Sequence, residues 1–111
     1  MSDPFENSGA WKAARVLTKQ VYSLCQRSPL SKDFGLSDQL QRAAVSVMDD
    51  VAEGWESLHL AEKRQAYNFA RRSCGEVRSM SCVLSDNKFI TVPEQANLLQ
   101  LCVQSGKLSA A

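Results

Sequence analysis

Apolar residues recur at spacings of three and four along most of the chain, which is the period of an amphipathic α-helix. The first such stripe comprises Trp11, Ala14, Leu17, Val21 and Leu24. Asn7 or Ser8 is the predicted N-cap of this helix. Ser28-Pro29 is expected to end it, because a residue that precedes proline is disfavoured in the helical region.

A second stripe follows the connecting segment "PLSKDFG" and comprises Leu36, Leu40, Ala43, Ala44, Val47, Val51 and Trp55. Ser37 is the predicted N-cap of this second helix. Gly54 stands where the helix is expected to end, because glycine tolerates the left-handed conformation that closes many helices.

The third stripe is the most regular in the chain, within a helix predicted over residues 58–87. Its members are Tyr67, Ala70, Cys74, Val77, Ser81 and Leu84. Their alternating spacing of three and four matches the repeat of helices that pack nearly parallel. A shorter fourth stripe contains Leu98, Leu101, Cys102, Ser105 and Leu108. Thr91 and Glu94 have the spacing of a capping box at its start, where Pro93 is also tolerated.

These stripes define the predicted fold class and domain organisation. No alternating run is long enough to indicate a strand, and 111 residues suit one domain. Four amphipathic helices with short connections predict an all-α, antiparallel up-and-down four-helix bundle. Residues 1–8 are expected to form a flexible N-terminal lead-in, and residues 9–111 the bundle domain.

Two helices have apolar residues beyond the single stripe that a bundle core requires. These residues are Val45, Met48 and Ala52 on the second helix, and Ala66, Phe69 and Met80 on the third. A helix that is apolar on two faces is packed on two sides, which here indicates contacts between subunits. The alternative is a wide core face within a monomer.

Composition limits the possible environment and partners. The net charge of +1 argues against a strong non-specific nucleic-acid binder, which usually has a clear basic excess. No apolar run approaches the roughly 20 residues that span a bilayer, and the acidic N-terminus predicts no secretion signal. The four cysteines form no C-x-x-C pair and are expected to be reduced core residues in a cytoplasmic protein, with a disulfide framework or zinc site as the alternative.

The carboxylates and the single histidine are candidates for catalytic or metal-binding groups. Asp49, Asp50 and Glu53 lie within one helical turn, and paired acids can perform acid–base chemistry when one pKa is raised. A di-metal bundle site needs two Glu-x-x-His motifs, whereas the chain has one, Glu56 to His59. We therefore expect no enzyme activity, cofactor or metal. The alternative is a metal- or thiol-dependent enzyme that uses Glu53, Glu56, His59 or a cysteine.

The distribution of charge is more informative than its sum. Residues 63–78 contain five basic residues and one acid, whereas residues 38–56 contain five acids and one base. Two basic rows each lie on one helix face: Lys12, Arg15 and Lys19, and Arg64, Arg71 and Arg78. They are interpreted either as solvated faces with ion pairs between the second and third helices, or as contacts for RNA or DNA backbones.

Base recognition is not expected, because the sequence offers no evident exposed aromatic residue for stacking. Trp11, Tyr67 and Phe69 are each explained by packing. Any contact with nucleic acid is therefore expected to involve the phosphate backbone.

The segment "FGLSDQLQRAAVSVMDDVAEG", from Phe34 to Gly54, resembles the signature of a bacterial family of four-helix-bundle proteins named after intervening sequences in 23S rRNA genes. The entry helix, with Trp11, Ala14 and Val21, and the segment "YNFARRSCGEVRSM" extend the similarity over most of residues 11–104. Many relatives have asparagine at the position of Asp50.

The resemblance implies a homopentameric ring of bundles without known catalytic activity. A related branch serves diversity-generating retroelements as an accessory subunit that binds a reverse transcriptase and nucleic acid through a basic surface; that branch is strongly basic, unlike this chain. The function expected is that of an oligomeric scaffold or interaction module. Residues expected to form its structural signature or subunit contacts are Arg42, Val45, Met48, Ala52, Glu53 and Gly54, and Arg42 and Glu53 are expected to tie the second helix to its neighbours.

Overall fold

Four α-helices account for most of the computed structural model, which describes residues 4–107. They are α1 (Gly9–Cys25), α2 (Phe34–Glu56), α3 (Leu60–Asp86) and α4 (Val92–Gly106). Two short 3₁₀ turns, Phe5–Asn7 and Leu30–Lys32, precede α1 and α2. Within the described residues there is no strand, so the predicted all-α class is confirmed.

The order of the helices around the bundle determines which surfaces can meet. Both α2 and α4 pack against α1 and α3, so α1 and α3 lie diagonally opposite each other. The groove between α1 and α2 and the groove between α3 and α4 are therefore on opposite sides of the bundle. The molecule measures 46 × 22 × 19 Å.

The predicted apolar stripes form the core. Its largest fully buried apolar side chains are Leu17, Val21, Leu30, Leu40, Val47, Val51, Val77, Leu84 and Leu98. Ala14, Ala44 and Ala70 are also completely buried, and their small side chains allow the helix backbones to approach closely. Leu108, predicted at the end of the fourth stripe, lies outside the described residues.

Two of the predicted helix starts are confirmed. The Ser8 side chain accepts a hydrogen bond from the Trp11 N–H at 3.3 Å, so Ser8 is the N-cap of α1. Thr91 and Glu94 form the reciprocal capping box of α4. These signals are local in sequence, which explains why spacing alone predicts them.

The predicted start of α2 is wrong. The helix begins three residues before Ser37, and Asp33 is its N-cap, accepting from the Leu36 N–H at 3.1 Å. Ser37 is instead buried, and its hydroxyl donates to the Leu30 carbonyl at 2.9 Å. This bond fixes the turn before α2 to the first part of the helix.

The predicted end of α2 is also wrong, because Gly54 is helical and the helix continues to Glu56. No described glycine has a positive φ. A Cβ atom at Gly54 would lie within 3 Å of three ring atoms of Tyr67, so the glycine permits close contact between α2 and α3. The Lys63 ammonium group donates to the Gly54 and Trp55 carbonyls at 3.0 and 3.1 Å, which satisfies acceptors at the helix end.

The end of α3 shows the closing geometry that was expected for α2. Lys88 has a positive φ of 59°, and the Phe89 N–H donates to the Leu84 carbonyl at 2.8 Å. This is the bond of a Schellman motif, which returns the chain towards α4.

The segment before α1 contacts the bundle. The Phe5 ring packs edge-on against Trp11 with 5.1 Å between the ring centroids. Residues 1–3 of the predicted lead-in lie outside the described range. Among the helices within residues 4–107, none combines the length and apolar character needed to cross a membrane.

Candidate functional site

A cleft of about 580 Å³ lies between α3 and α4, and we call it the basic cleft. Its charged lining residues are Arg71, Arg72, Arg78 and Lys107, and no carboxylate lines it among the residues that the structure describes. Both arginines of the predicted row at 71 and 78 are therefore brought together with two further cations. Arg64, the third member of that row, is exposed but does not line the cleft.

Arg72 was not singled out by the predicted spacing, yet it occupies a defined position in the basic cleft. Its guanidinium carbon lies 5.9 Å from the centroid of the Phe69 ring. Phe69 is 40% exposed, so packing within the protomer does not account for it, and its expected contact with another subunit stays a prediction. The spacing of three between Phe69 and Arg72, on one helical face, is the signal that indicates this pair.

Two thiols lie at the bottom of the basic cleft. Cys74 on α3 and Cys102 on α4 are both buried and in hydrogen-bond contact. This contact lowers the pKa of Cys74, whereas the same contact together with burial raises the pKa of Cys102. All four cysteines are free, but Cys82 is exposed, so the prediction that it is a core residue is wrong, whereas the other three are buried. Burial raises the pKa of Cys25.

A second cleft, of about 450 Å³, is formed by α1 and α2, and we call it the acidic cleft. Its carboxylates are Asp38, Asp49, Asp50 and Glu53, and Tyr22 and Val45 also line it. Its one basic lining residue, Arg42, pairs with Asp38 on the same helix at 2.9 Å. The prediction that Arg42 ties α2 to a neighbouring helix is therefore wrong within the protomer.

Asp50 is the acid in this cleft that is connected to the bundle. It accepts a hydrogen bond from the Ser46 hydroxyl at 3.2 Å, and Ser46 accepts one from Ser73 on α3 at 3.2 Å. Burial is the main cause that raises the pKa of Asp50, and the charges of Glu53 and Asp49 raise it further, whereas the Ser46 hydrogen bond opposes the shift.

The basic row on α1 is separate from the basic cleft. Lys12, Arg15 and Lys19 are exposed, and the Arg15 guanidinium lies 5.8 Å from the Trp11 ring centroid. Because α1 and α3 are diagonal in the bundle, this row and the α3 row are not neighbouring faces. The structure thus has two distinct basic surfaces.

The predicted ion pairs between α2 and α3 are not formed. Among residues 4–107 the ion pairs are Arg27–Glu94 and Arg42–Asp38. Lys63 on α3 instead binds backbone carbonyls at the end of α2. The charged rows therefore remain largely available at the surface.

The residues predicted to form a second apolar face divide into two groups. Val45, Met48 and Ala52 are half-buried, and Phe69 is exposed. Ala66 and Met80 are buried within the protomer. They therefore belong to its core and are not available for the subunit contacts expected of them. Glu53 is exposed and Gly54 is buried against Tyr67.

The carboxylates considered for acid–base chemistry share the acidic cleft, but His59 is separate from them. His59 is exposed at the start of α3, while Glu53 and Glu56 line a cleft between α2 and α3 together with Glu62. Within the described part of the chain, no set of three His, Cys, Asp or Glu side chains is arranged to hold a metal ion.

The fold and the clefts define an all-α four-helix bundle with open, oppositely charged grooves on two sides. The family model described as 23S rRNA-intervening sequence protein matches residues 6–111. The chain belongs to that family. No curated protein and no solved structure matches it.

Proposed function

We propose that the protein is a non-enzymatic interaction module that acts as a ring-shaped homo-oligomer, with five copies as the family resemblance implies. The observation that carries this proposal is the amount of apolar surface that one protomer leaves in solvent. Within residues 4–107, nine large apolar side chains are at least 40% exposed, and every helix contributes to them: Val16, Tyr22, Phe34, Leu58, Leu60, Phe69, Val83, Val92 and Val103.

Phe34, the first residue of the family signature, illustrates the argument. It is 79% exposed in the first turn of α2, so its ring contributes little to the protomer core. Burial of a phenylalanine side chain stabilises an association by about 1.5–3 kcal/mol. Contact with another molecule would explain why the signature has a large apolar residue at this exposed position.

The clefts also favour binding over catalysis. The basic and acidic clefts are open grooves between helices, whereas small-molecule sites are usually concave and bury most of their ligand. The buried thiols Cys74 and Cys102 contact each other, and the single histidine lies at an exposed helix start. The runner-up function, a metal- or thiol-dependent enzyme, has no comparable support.

Native mass spectrometry and light scattering test the oligomer directly. The expected mass is about five times the 12.3 kDa of one chain. Phe34→Ser should weaken the assembly, and Gln39→Ser is the matched control because Gln39 is an exposed polar residue on the same helix. A mass of 12.3 kDa across the micromolar range would contradict the proposal.

A second candidate function, contact with RNA or DNA backbones, is favoured by the concentration of cations in the basic cleft. Four side chains converge there without a lining carboxylate. Phosphate contacts release counterions, so affinity should fall steeply with salt, with a slope of about −0.9 per neutralised phosphate on duplex DNA. A protein that contacts nucleic acid in this way could also have a nucleic-acid enzyme, such as a reverse transcriptase, as its partner.

The test is binding of a fluorescent duplex DNA and a single-stranded RNA by anisotropy at several salt concentrations. Arg71→Ala with Arg78→Ala should weaken binding and reduce the salt slope on duplex DNA by about two units. Arg42→Ala is the control, since it removes an exposed arginine from the acidic cleft. Absence of binding at low salt would eliminate this function and leave the interaction module.

A further inference from the structure

We infer that the acidic cleft of one copy binds the basic cleft of the next, so that the protein assembles head to tail. This inference rests on the proposed oligomer and names the two surfaces that form its repeated contact. The occupant of each cleft is thus a second copy of this chain.

The charges of the two clefts are complementary and mostly unpaired in the protomer. Asp49 and Glu53 have no ion-pair partner within residues 4–107, and the same holds for Arg71 and Arg78. All four side chains are exposed. Placing these rows together creates ion pairs that one protomer cannot form, and such complementarity directs association and its register.

The acidic and basic clefts of one protomer cannot contact each other. One lies at the α1–α2 edge and the other at the α3–α4 edge, on opposite sides of the bundle. A two-fold symmetric dimer through either cleft would place like charges against each other. A head-to-tail contact avoids this repulsion, and a repeated head-to-tail contact generates a ring when its rotation closes.

Apolar side chains accompany the charges on both surfaces. Tyr22 and Val45 line the acidic cleft, and Phe34 precedes Asp38 by one helical turn along α2. Val103 lines the basic cleft, and Phe69 is exposed next to that cleft, in contact with Arg72 at its edge. Specific protein interfaces typically have an apolar centre surrounded by polar and charged residues.

The basic row is short enough to lie along the acidic row. With a rise of about 1.5 Å per residue, Asp38 to Glu53 extends over about 22 Å, and Arg71 to Arg78 over about 10 Å. The basic row therefore fits within the acidic row when the helices run side by side.

Charge reversal of each cleft tests the inference. The acidic-cleft variant is Asp49→Lys with Glu53→Lys, and the basic-cleft variant is Arg71→Glu with Arg78→Glu. Each variant retains one functional cleft, so neither should assemble alone. An equimolar mixture should regain assembly at even multiples of 12.3 kDa, because the two unaltered clefts fit each other and the two reversed clefts are again opposite in charge.

Lys12→Glu with Lys19→Glu is the matched control, since both residues are exposed on α1 outside the two clefts. This control should keep the mass of the unaltered protein. Circular dichroism of every variant should show unchanged helix content, because only exposed positions are altered. Native mass spectrometry provides the masses, and repetition in 1 M salt should dissociate assemblies that depend on these pairs.

The outcomes separate this inference from the proposed oligomer. If the unaltered protein assembles and both cleft variants keep its mass, the clefts are not the interface, although the oligomer stands. If the mixture fails to assemble, the acidic and basic clefts do not bind each other and the contact is not head to tail. If the basic-cleft variant loses only RNA or DNA binding, the occupant of that cleft is nucleic acid. A monomeric unaltered protein overturns both proposals.

Discussion

The carboxylate of Glu94 and those of Asp49 and Glu53 occupy contrasting environments. Glu94 binds the Arg27 guanidinium at 2.6 Å and accepts from the Thr91 N–H at 2.8 Å, and these contacts lower its pKa to about 2. Asp49 and Glu53 are exposed and form no ion pair among the described residues. A charge with several partners in the protomer serves the fold, whereas an unpaired row in a cleft is available to another molecule.

The Arg27–Glu94 contact joins parts of the chain that are distant in sequence. Arg27 follows α1, and its guanidinium also donates to the Phe89 carbonyl at 3.1 Å in the connection before α4. The pair therefore holds the start of α4 against the end of α1. In the acidic cleft, Arg42 and Asp38 are one turn apart on a single helix, so their contact joins no separate elements.

The largest effect on stability is expected at the contact between Gly54 and Tyr67, which depends on shape and not on charge. Gly54→Ala should destabilise the fold by about 1–3 kcal/mol, because the new Cβ meets the Tyr67 ring and the contact between α2 and α3 becomes overpacked. The cost of this clash exceeds the stabilisation of about 1 kcal/mol that alanine provides over glycine through its higher helix propensity. Urea unfolding followed by circular dichroism measures the change.

Gly75→Ala is the matched control for that substitution. A Cβ atom at Gly75 meets no atom within 4 Å, so alanine should stabilise α3 by up to about 1 kcal/mol. Tyr67→Ala should remove most of the penalty of Gly54→Ala in a double-mutant cycle. Equal effects at the two glycines would contradict the role assigned to Gly54.

A smaller effect is expected from the ion pair at the start of α4. Glu94→Gln retains an acceptor for the capping box but loses the charge, and should cost about 0.5–1 kcal/mol at pH 7 because the pair is partly exposed to solvent. Glu94→Ala removes the cap as well and should cost about 1–2 kcal/mol.

The pH dependence of that effect has a defined sign. The pKa of Glu94 is lower in the folded state, about 2, than the ordinary value of roughly 4.3. Its stabilisation is therefore fully present above the ordinary value and is lost as the pH falls towards 2. The difference between the unaltered protein and Glu94→Gln should shrink over this range in urea unfolding. A constant difference would show that charge is not its cause.

The sequence predicts features that depend on local spacing and misses those that depend on packing. The stripe from Ala70 to Leu84 and the Thr91 capping box are local, and both are confirmed. Whether Gly54 ends a helix or accommodates a ring depends on Tyr67, thirteen residues later. Local pattern alone does not distinguish these two uses of glycine.

The charged clefts show the same limit. The sequence reveals that α2 is acidic and that α1 and α3 are basic, because these rows are periodic. It does not reveal that Arg71 and Arg78 meet Lys107 across a groove, since this depends on the order of helices around the bundle. Arg72 also lies in that groove, although its own spacing does not place it in the predicted row.

The smallest effect on stability is expected at Asp50, which has a hydrogen-bond partner in the protomer, as Glu94 does, and also lines the acidic cleft, as Asp49 and Glu53 do. It lies in the acidic cleft but accepts the Ser46 hydrogen bond that leads to Ser73 on α3. Asp50→Asn keeps an acceptor oxygen and removes a partly desolvated charge beside Asp49 and Glu53. We expect it to stabilise the protein by up to about 0.5 kcal/mol at pH 7.

The sign of the pH dependence at Asp50 is opposite to that at Glu94. Because folding raises the pKa of Asp50, the folded state favours the protonated side chain, and stability falls as the pH rises through that raised value. The gain from Asp50→Asn should therefore be present at pH 7 and vanish below the ordinary value of roughly 3.9. Asp49→Asn serves as the control at the exposed neighbour. If the gain at Asp50 persists at pH 3, relief of the buried charge is not its cause, and Asp50 then belongs with the exposed acids of the cleft.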